Sequence, residues 1–127
     1  QMFERSSDLL RDYGIDFREV LRTWCYLDNI DRDYDEFNLS RNEFFRKNEV
    51  QRLPASTGIR AGLHPQGTLC GMDLYALLNT EGAQIEIMHT PTLNEAPEYG
   101  ASFSRGLQLS LPDKHILFIS GTKARRT

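Results

Sequence analysis

Apolar and polar positions alternate with two different periods along the chain, and the period changes mark its elements. From Met2 to Tyr13 the spacing is helical, which predicts a helix with Phe3, Leu9, Leu10 and Tyr13 on one face and Gly14 as its C′ stop. Val20 to Leu27 is rich in strand formers; alternation sets Leu21, Thr23, Cys25 and Leu27 against Val20, Arg22, Trp24 and Tyr26. The polar turn Asp31 to Asp35 offers several N-caps for a second helix from Tyr34 to Asn48, with Tyr34, Phe37, Phe44 and Phe45 as its apolar side. Arg41 interrupts that side and reads as an arginine that snorkels to solvent. Pro54 to Ile59 opens a strand or loop, and His64-Pro65-Gln66-Gly67 is a turn. Thr68 to Leu78 is the strongest strand pattern. Its two faces, Thr68, Cys70, Met72, Leu74 and Ala76 against Leu69, Gly71, Asp73, Tyr75 and Leu77, are both mostly apolar, so both are expected to be covered. Glu81-Gly82 turns into a short strand, Gln84 to Met88, and His89 to Ala101 reads as a loop. Phe103 to Leu111 and His115 to Ser120 form a hairpin about Pro112-Asp113-Lys114.

The order helix, strand, helix, three strands and hairpin predicts an α+β two-layer sandwich, a mixed β-sheet with two helices on one face. A chain of 127 residues suggests a single domain, 1–127, in which the hairpin 103–120 follows the helix-strand-helix-strand part. The other sheet face is then expected to be covered by a partner subunit or by loops. The chain starts Gln1-Met2 and ends Lys123-Ala124-Arg125-Arg126-Thr127 just after an apolar strand, which reads as cut ends or a re-ordered unit.

Composition narrows the class. Hydrophobic content of 39% and charged content of 26% are those of a globular domain, and a net charge of −3 does not attract nucleic acid. No apolar run approaches the ~20 residues of a membrane span, so no membrane partner is expected. Cys25 and Cys70 lack metal spacing, and His64, His89 and His115 lie singly in turns, so neither metal nor cofactor is expected and a reduced, cytoplasmic setting is the default.

Three short glycine-bearing segments border apolar runs: Leu53-Pro54-Ala55-Ser56-Thr57-Gly58-Ile59, Phe103-Ser104-Arg105-Gly106 and Ile119-Ser120-Gly121-Thr122. Hydroxyls and backbone amides at strand ends suit a small, oxygen-rich molecule. Asp73 lies mid-strand among apolar residues, where a carboxylate needs a partner or a raised pKa. A raised pKa would suit a general acid or base, whereas the structural alternative is a bond to backbone amides or Arg22. Arg60 and Arg105 are the arginines near these segments that offer bidentate carboxylate binding.

Val20 to Asp28, the helix stretch from Phe37-Asn38 through Arg41 to Phe44-Phe45, Pro54 to Ile59, Tyr99-Gly100, Ser102 to Arg105 and Leu117 to Thr122 together resemble the Rid (YjgF) superfamily, and more closely its chorismatase-type branch. The resemblance spans about four fifths of the chain. It implies a chorismate-mutase-like α+β fold, a homotrimer, and ligand sites in clefts between subunits or between the two Rid-like halves of longer chorismatases. Because the hairpin comes last here, the resemblance implies a circularly permuted Rid unit or a fragment of a two-domain enzyme. It places Asp73 where imine-hydrolysing members carry a glutamate. Ser56 stands where deaminases carry the arginine for the substrate carboxylate. Asn38, Phe103, Arg105, Ser120 and Gly121 fall on pocket-lining positions, with Thr57 beside them.

Two functions follow as expectations. One is an enzyme that binds a small carboxylate-bearing metabolite between subunits and hydrolyses an enamine, imine or enol ether. In it Arg60 or Arg105 holds the carboxylate, Asp73 handles a proton or water, and Ser120 and Thr57 add hydrogen bonds. The other is a non-catalytic ligand-binding or scaffold member, favoured by the missing arginine and the shortened acid. Ribonuclease activity is disfavoured, since the only basic run is Arg125-Arg126 and no histidine pair is present.

Overall fold

The structure is a computed structural model and describes residues 2–79, 81–88 and 102–121. The expected loop His89 to Ala101, with Tyr99-Gly100, and Thr122 lie outside the described residues. The chain is α+β, and its described residues form two α-helices and two three-stranded sheets.

Helix α1 (Met2–Asp12) buries Phe3, Ser7 and Leu10, spaced four and three residues apart. Leu9 lies about 240° round the helix from Phe3 and, like Tyr13, is exposed, so these two do not join the predicted face. Gly14 adopts φ 73°, the left-handed C′ conformation that ends the helix, and the Ile15 amide bonds back to the Leu10 carbonyl at 3.0 Å. A 3₁₀ turn (Phe17–Glu19), capped by Asp16, leads into β1 (Val20–Leu27).

Helix α2 (Ile30–Lys47) starts four residues before the predicted Tyr34, because Asn29 is the N-cap, its side chain accepting from the Arg32 amide at 3.1 Å. The polar run Asp31 to Asp35 is therefore inside the helix, with Asp31 and Asp33 in its first turn, where acidic side chains suit the dipole. Helix α2 is the crossover that parallel strands require: β2 (Ala55–Arg60) pairs parallel to β1, and β3 (Cys70–Ala76) pairs antiparallel on the other side, giving the order β2-β1-β3.

A bulge opens between Val20 and Arg22. It rotates Val20 onto the helix side and Leu21 onto the other, so Leu21 does not share a face with Thr23, Cys25 and Leu27 as strict alternation predicts. The main core lies between the helices and this sheet. Phe3, Phe17, Phe44 and Phe45 are in mutual ring contact there, and Cys25, Leu27, Met72 and Leu74 form its floor.

The remaining strands, β4 (Gln84–Ile87), β5 (Gly106–Leu111) and β6 (Lys114–Ile119), form a separate antiparallel sheet. The single mixed sheet expected from sequence is thus divided in two. Leu21, Leu107 and Leu109 centre a second core between the sheets. An isolated parallel bridge, Ala55 to Ser104, links them. Two backbone bonds reinforce it, from the Ser104 amide to the Pro54 carbonyl at 3.0 Å and from the Gly121 amide to the Ser56 carbonyl at 3.1 Å.

Beyond the end where it meets the second sheet, the helix-free face of the β2-β1-β3 sheet is open among the described residues. Strand register places Arg22, Trp24 and Tyr26 beside Thr57 and Ile59 on one side and Gly71, Asp73 and Tyr75 on the other. Ile59, Leu69 and Tyr75 are 43%, 57% and 45% exposed. Among the described residues the second face of the β3 pattern is thus covered only toward its end, where Tyr75 meets the Phe118 ring at 5.1 Å and Leu77 joins the second core.

Candidate functional site

The glycine-bearing segments do meet. The start of β2 and the two ends of the β5-β6 hairpin join in a seam roofed by α2. The Ser56 amide donates to Ser120 Oγ at 2.8 Å, and Ser120 Oγ donates onward to the Ser104 carbonyl. Thr23 Oγ1 donates to Ser56 Oγ at 2.9 Å, with the Cys25 sulfur 3.9 Å away. Ser56, Thr23, Ser104 and Ser120 are all buried, and burial pushes the Cys25 thiol pKa up. Ser104 Oγ has no hydrogen-bond partner among the described residues.

Arg41 closes the seam from above. It is 3% exposed and does not snorkel. One nitrogen of its guanidinium donates to Asn38 Oδ1 at 2.6 Å and another reaches Ser56 Oγ at 3.4 Å. The group lies against the rings of Phe37 (4.9 Å) and Phe103 (5.3 Å). A guanidinium therefore stands next to Ser56, supplied by the helix rather than by β2. Arg105 is buried too, against the other partner of this stack, 5.6 Å from the Phe103 ring centre.

Of the residues singled out from sequence, Asn38, Ser56, Thr57, Phe103, Arg105, Ser120 and Gly121 gather at this seam. Asn38 sits well inside α2 rather than near its start, and orients Arg41. Gly121 does not leave room for a ligand: a Cβ there would lie 2.9 Å from Thr57 Cγ2, so the glycine serves close approach of the chain to Thr57. Its amide also bonds Thr57 Oγ1 at 2.8 Å.

Arg60 and Asp73 lie elsewhere. Arg60 is exposed at the end of β2, its Nε donating to the Asp28 carbonyl at 3.2 Å. Asp73 is on β3, beyond β1 from the seam, and is exposed, so the burial that suggested acid–base chemistry is absent in the single chain. It accepts a hydrogen bond from the Tyr26 hydroxyl at 2.9 Å rather than from Arg22 or backbone amides, and that bond holds the Tyr26 phenol pKa above its ordinary value.

Arg22 was not among the sequence candidates. It is 7% exposed on the open-face side, donating to the Thr23 carbonyl at 2.9 Å and to Thr57 Oγ1 at 2.6 Å, and stacked 4.6 Å from the Trp24 ring centre. No carboxylate pairs with it among the described residues, and desolvation lowers its pKa. Its alternation with Trp24 and Tyr26 was visible in the sequence; its burial depends on β2 and the bulge. No group of histidine, cysteine, aspartate and glutamate able to hold a metal occurs among the described residues.

No family model matches the chain, and comparison with curated proteins gives no match. Among the described residues no helix is long and apolar enough to cross a membrane.

Proposed function

We propose that the chain is a Rid-like unit of the chorismatase type, with its hairpin in last place, that associates as a homotrimer through the open sheet face and binds a small carboxylate-bearing metabolite in the resulting inter-subunit cleft. The observation that carries this reading is Arg22. It is a buried guanidinium on that face without an ion-pair partner among the described residues, using two of its five N–H donors on Thr23 and Thr57. An anion arriving there would offset its desolvation and take a bidentate pair of hydrogen bonds. Arg22 thus takes the carboxylate-binding role that sequence reasoning gave to Arg60 or Arg105. The exposed Tyr75 beside it, with Ile59 and Leu69 farther along the same face, supports burial against another subunit.

A hydrolytic reading is favoured by one further observation, the Tyr26–Asp73 hydrogen bond on the same face. In a covered cleft this pair would position the water that adds to an imine or enol-ether carbon, with Asp73 taking its proton. The simpler reading, binding without turnover, needs only Arg22.

Light scattering gives the mass in solution, and calorimetric titration with chorismate and small 2-oxo acids gives binding. The reading expects a trimer that binds a carboxylate, with affinity at least about tenfold weaker in Arg22→Lys, which keeps the charge and loses the planar fork. A monomer, or binding unchanged in Arg22→Lys, overturns it.

A further inference from the structure

Each sheet ends in two edge strands, and β2, β3 and β4 each carry a feature that discourages pairing with another chain. Exposed Asp73 lies mid-strand in β3, and exposed Glu86 lies in β4. β2 is engaged at its start by Ser104 and Gly121 and ends in exposed Arg60. β6 differs. From His115 to Ile119 it has no lysine, arginine, carboxylate or proline, and it pairs with β5 without a bulge. Leu117 and Ile119 are nonetheless exposed.

One bond sets the direction of the β6 backbone groups. The Ser120 amide donates to the Arg105 carbonyl at 3.0 Å. Hydrogen-bonded and non-hydrogen-bonded pairs alternate along an antiparallel ladder, so Phe118, Ile116 and Lys114 also turn their N–H and C=O toward β5. His115, Leu117 and Ile119 turn theirs away, to an edge with no paired strand among the described residues. The same three side chains lie on the outer face of the sheet, while Ile116 and Phe118 pack into the second core.

We propose that this edge pairs with the same edge of a second copy of the chain, antiparallel about a two-fold axis at Leu117. In that register Leu117 lies opposite Leu117 of the second copy, and His115 opposite its Ile119, so every outward N–H and C=O of the three residues is used. On the core side Ile116 lies opposite Phe118 of the second copy. The strand is thus its own complement on both faces. Charge favours the same arrangement. Lys114 falls opposite Ser120 of the second copy, which keeps the two lysines at opposite ends of the pair, whereas parallel pairing would set them side by side. A paired edge of 6 residues is small beside the ~1,200–2,000 Å² of a stable interface, so a weak, concentration-dependent dimer is expected. Neither Arg22 nor Asp73 belongs to this edge, which is separate from the proposed ligand cleft.

The test is residue-level amide exchange of the full chain by NMR at low and high protein concentration, with sedimentation equilibrium alongside. The Ile116 and Phe118 amides are expected to be protected at every concentration. Those of His115, Leu117 and Ile119 are expected to gain at least about tenfold protection only at high concentration. Leu117→Pro deletes an N–H that β5 does not use, which an edge strand tolerates. Leu117→Lys keeps that N–H and sets like charges opposite each other. Both are expected to weaken association at least about tenfold with the urea midpoint unchanged. Should the open face also form trimers, edge pairing doubles their mass, and each contact keeps its own readout. Three results would overturn the proposal: outward amides that stay unprotected while the chain associates or remains monomeric, protection independent of concentration, or both variants associating like the unaltered chain.

Discussion

The two faces of strand β1 present a contrast. On the helix side, Thr23 and Cys25 look into a seam where a charged side chain, Arg41, is enclosed with its hydrogen bonds to Asn38 and Ser56 in place. On the other side, Trp24 and Tyr26 lie beside Asp73, an exposed carboxylate on an apolar sheet face. Both charges occupy positions that read as apolar in sequence, and they resolve in opposite ways. The difference lies in what the rest of the chain brings: α2 and the hairpin supply aromatic rings and hydroxyls to Arg41, while nothing within the described chain lies over Asp73. A charge in an apolar pattern marks a place where the fold must answer; the pattern alone does not say how.

The strongest way to break this contrast is to empty the seam. Arg41→Ala leaves buried Ser56 and half-buried Asn38 short of a partner and removes a cation from between two rings. A loss of about 3 kcal/mol in urea unfolding is expected. Arg41→Met, which fills the space without a charge, is expected to lose much less, because a buried charge contributes little net stability when its place is well packed. A loss as large as that of the alanine variant would mean that the guanidinium itself holds the seam together.

A smaller effect is expected at the hairpin's attachment. Gly121→Ala drives a methyl to 2.9 Å from Thr57 Cγ2, at a cost of about 1–3 kcal/mol. Thr57→Ser removes that methyl and keeps the hydroxyl that Arg22 and the Gly121 amide use. Combining the two changes is expected to recover most of the loss in a double-mutant cycle. Additive losses would show that the strain lies elsewhere.

The least effect on stability belongs to the open face. Asp73→Asn is expected to leave the urea midpoint unchanged, since the carboxylate is exposed. Its readout is the Tyr26 phenol, whose pKa the Asp73 carboxylate raises by accepting the hydroxyl proton and by opposing a second negative charge. Removing that charge is expected to bring the phenol's titration down in pH, visible by ultraviolet absorbance. An unmoved titration would show that the hydrogen bond is not maintained in solution.

Much of the fold was legible because it follows local rules. Strand β1 ends where its pattern does, and Gly14 stops α1 for the stated backbone reason. The misreadings have physical causes of their own. The bulge at Leu21 breaks strict alternation, and nothing in the residues Val20 to Arg22 announces it. The start of α2 was missed because acidic residues serve equally as caps and as first-turn residues, and Asn29 stands just ahead of them. For the site, local sequence placed the polar segments at strand ends, and the structure joins them. It did not reveal which arginine would be enclosed, because the partners of Arg41 at Ser56 and Phe103 lie far along the chain. Arg22 was passed over for the same reason: its neighbour Thr57 is 35 residues away.

The attachment of the hairpin also has a kinetic consequence. The bond between the Ser56 amide and Ser120 spans 64 residues, whereas the 3₁₀ turn, β1 and α2 follow one another directly in the chain. The β1–β3 pairs close loops nearly as long, from Leu27–Cys70 to Val20–Ala76, but they form a full ladder, whereas the seam is held by one bridge and a few hydrogen bonds. The seam is thus the part expected to open before the β1–β3 ladder does. Amide protons at Ser56 and Gly121 would exchange with solvent through a partial opening, while those pairing β1 with β3 would wait for the whole domain to unfold.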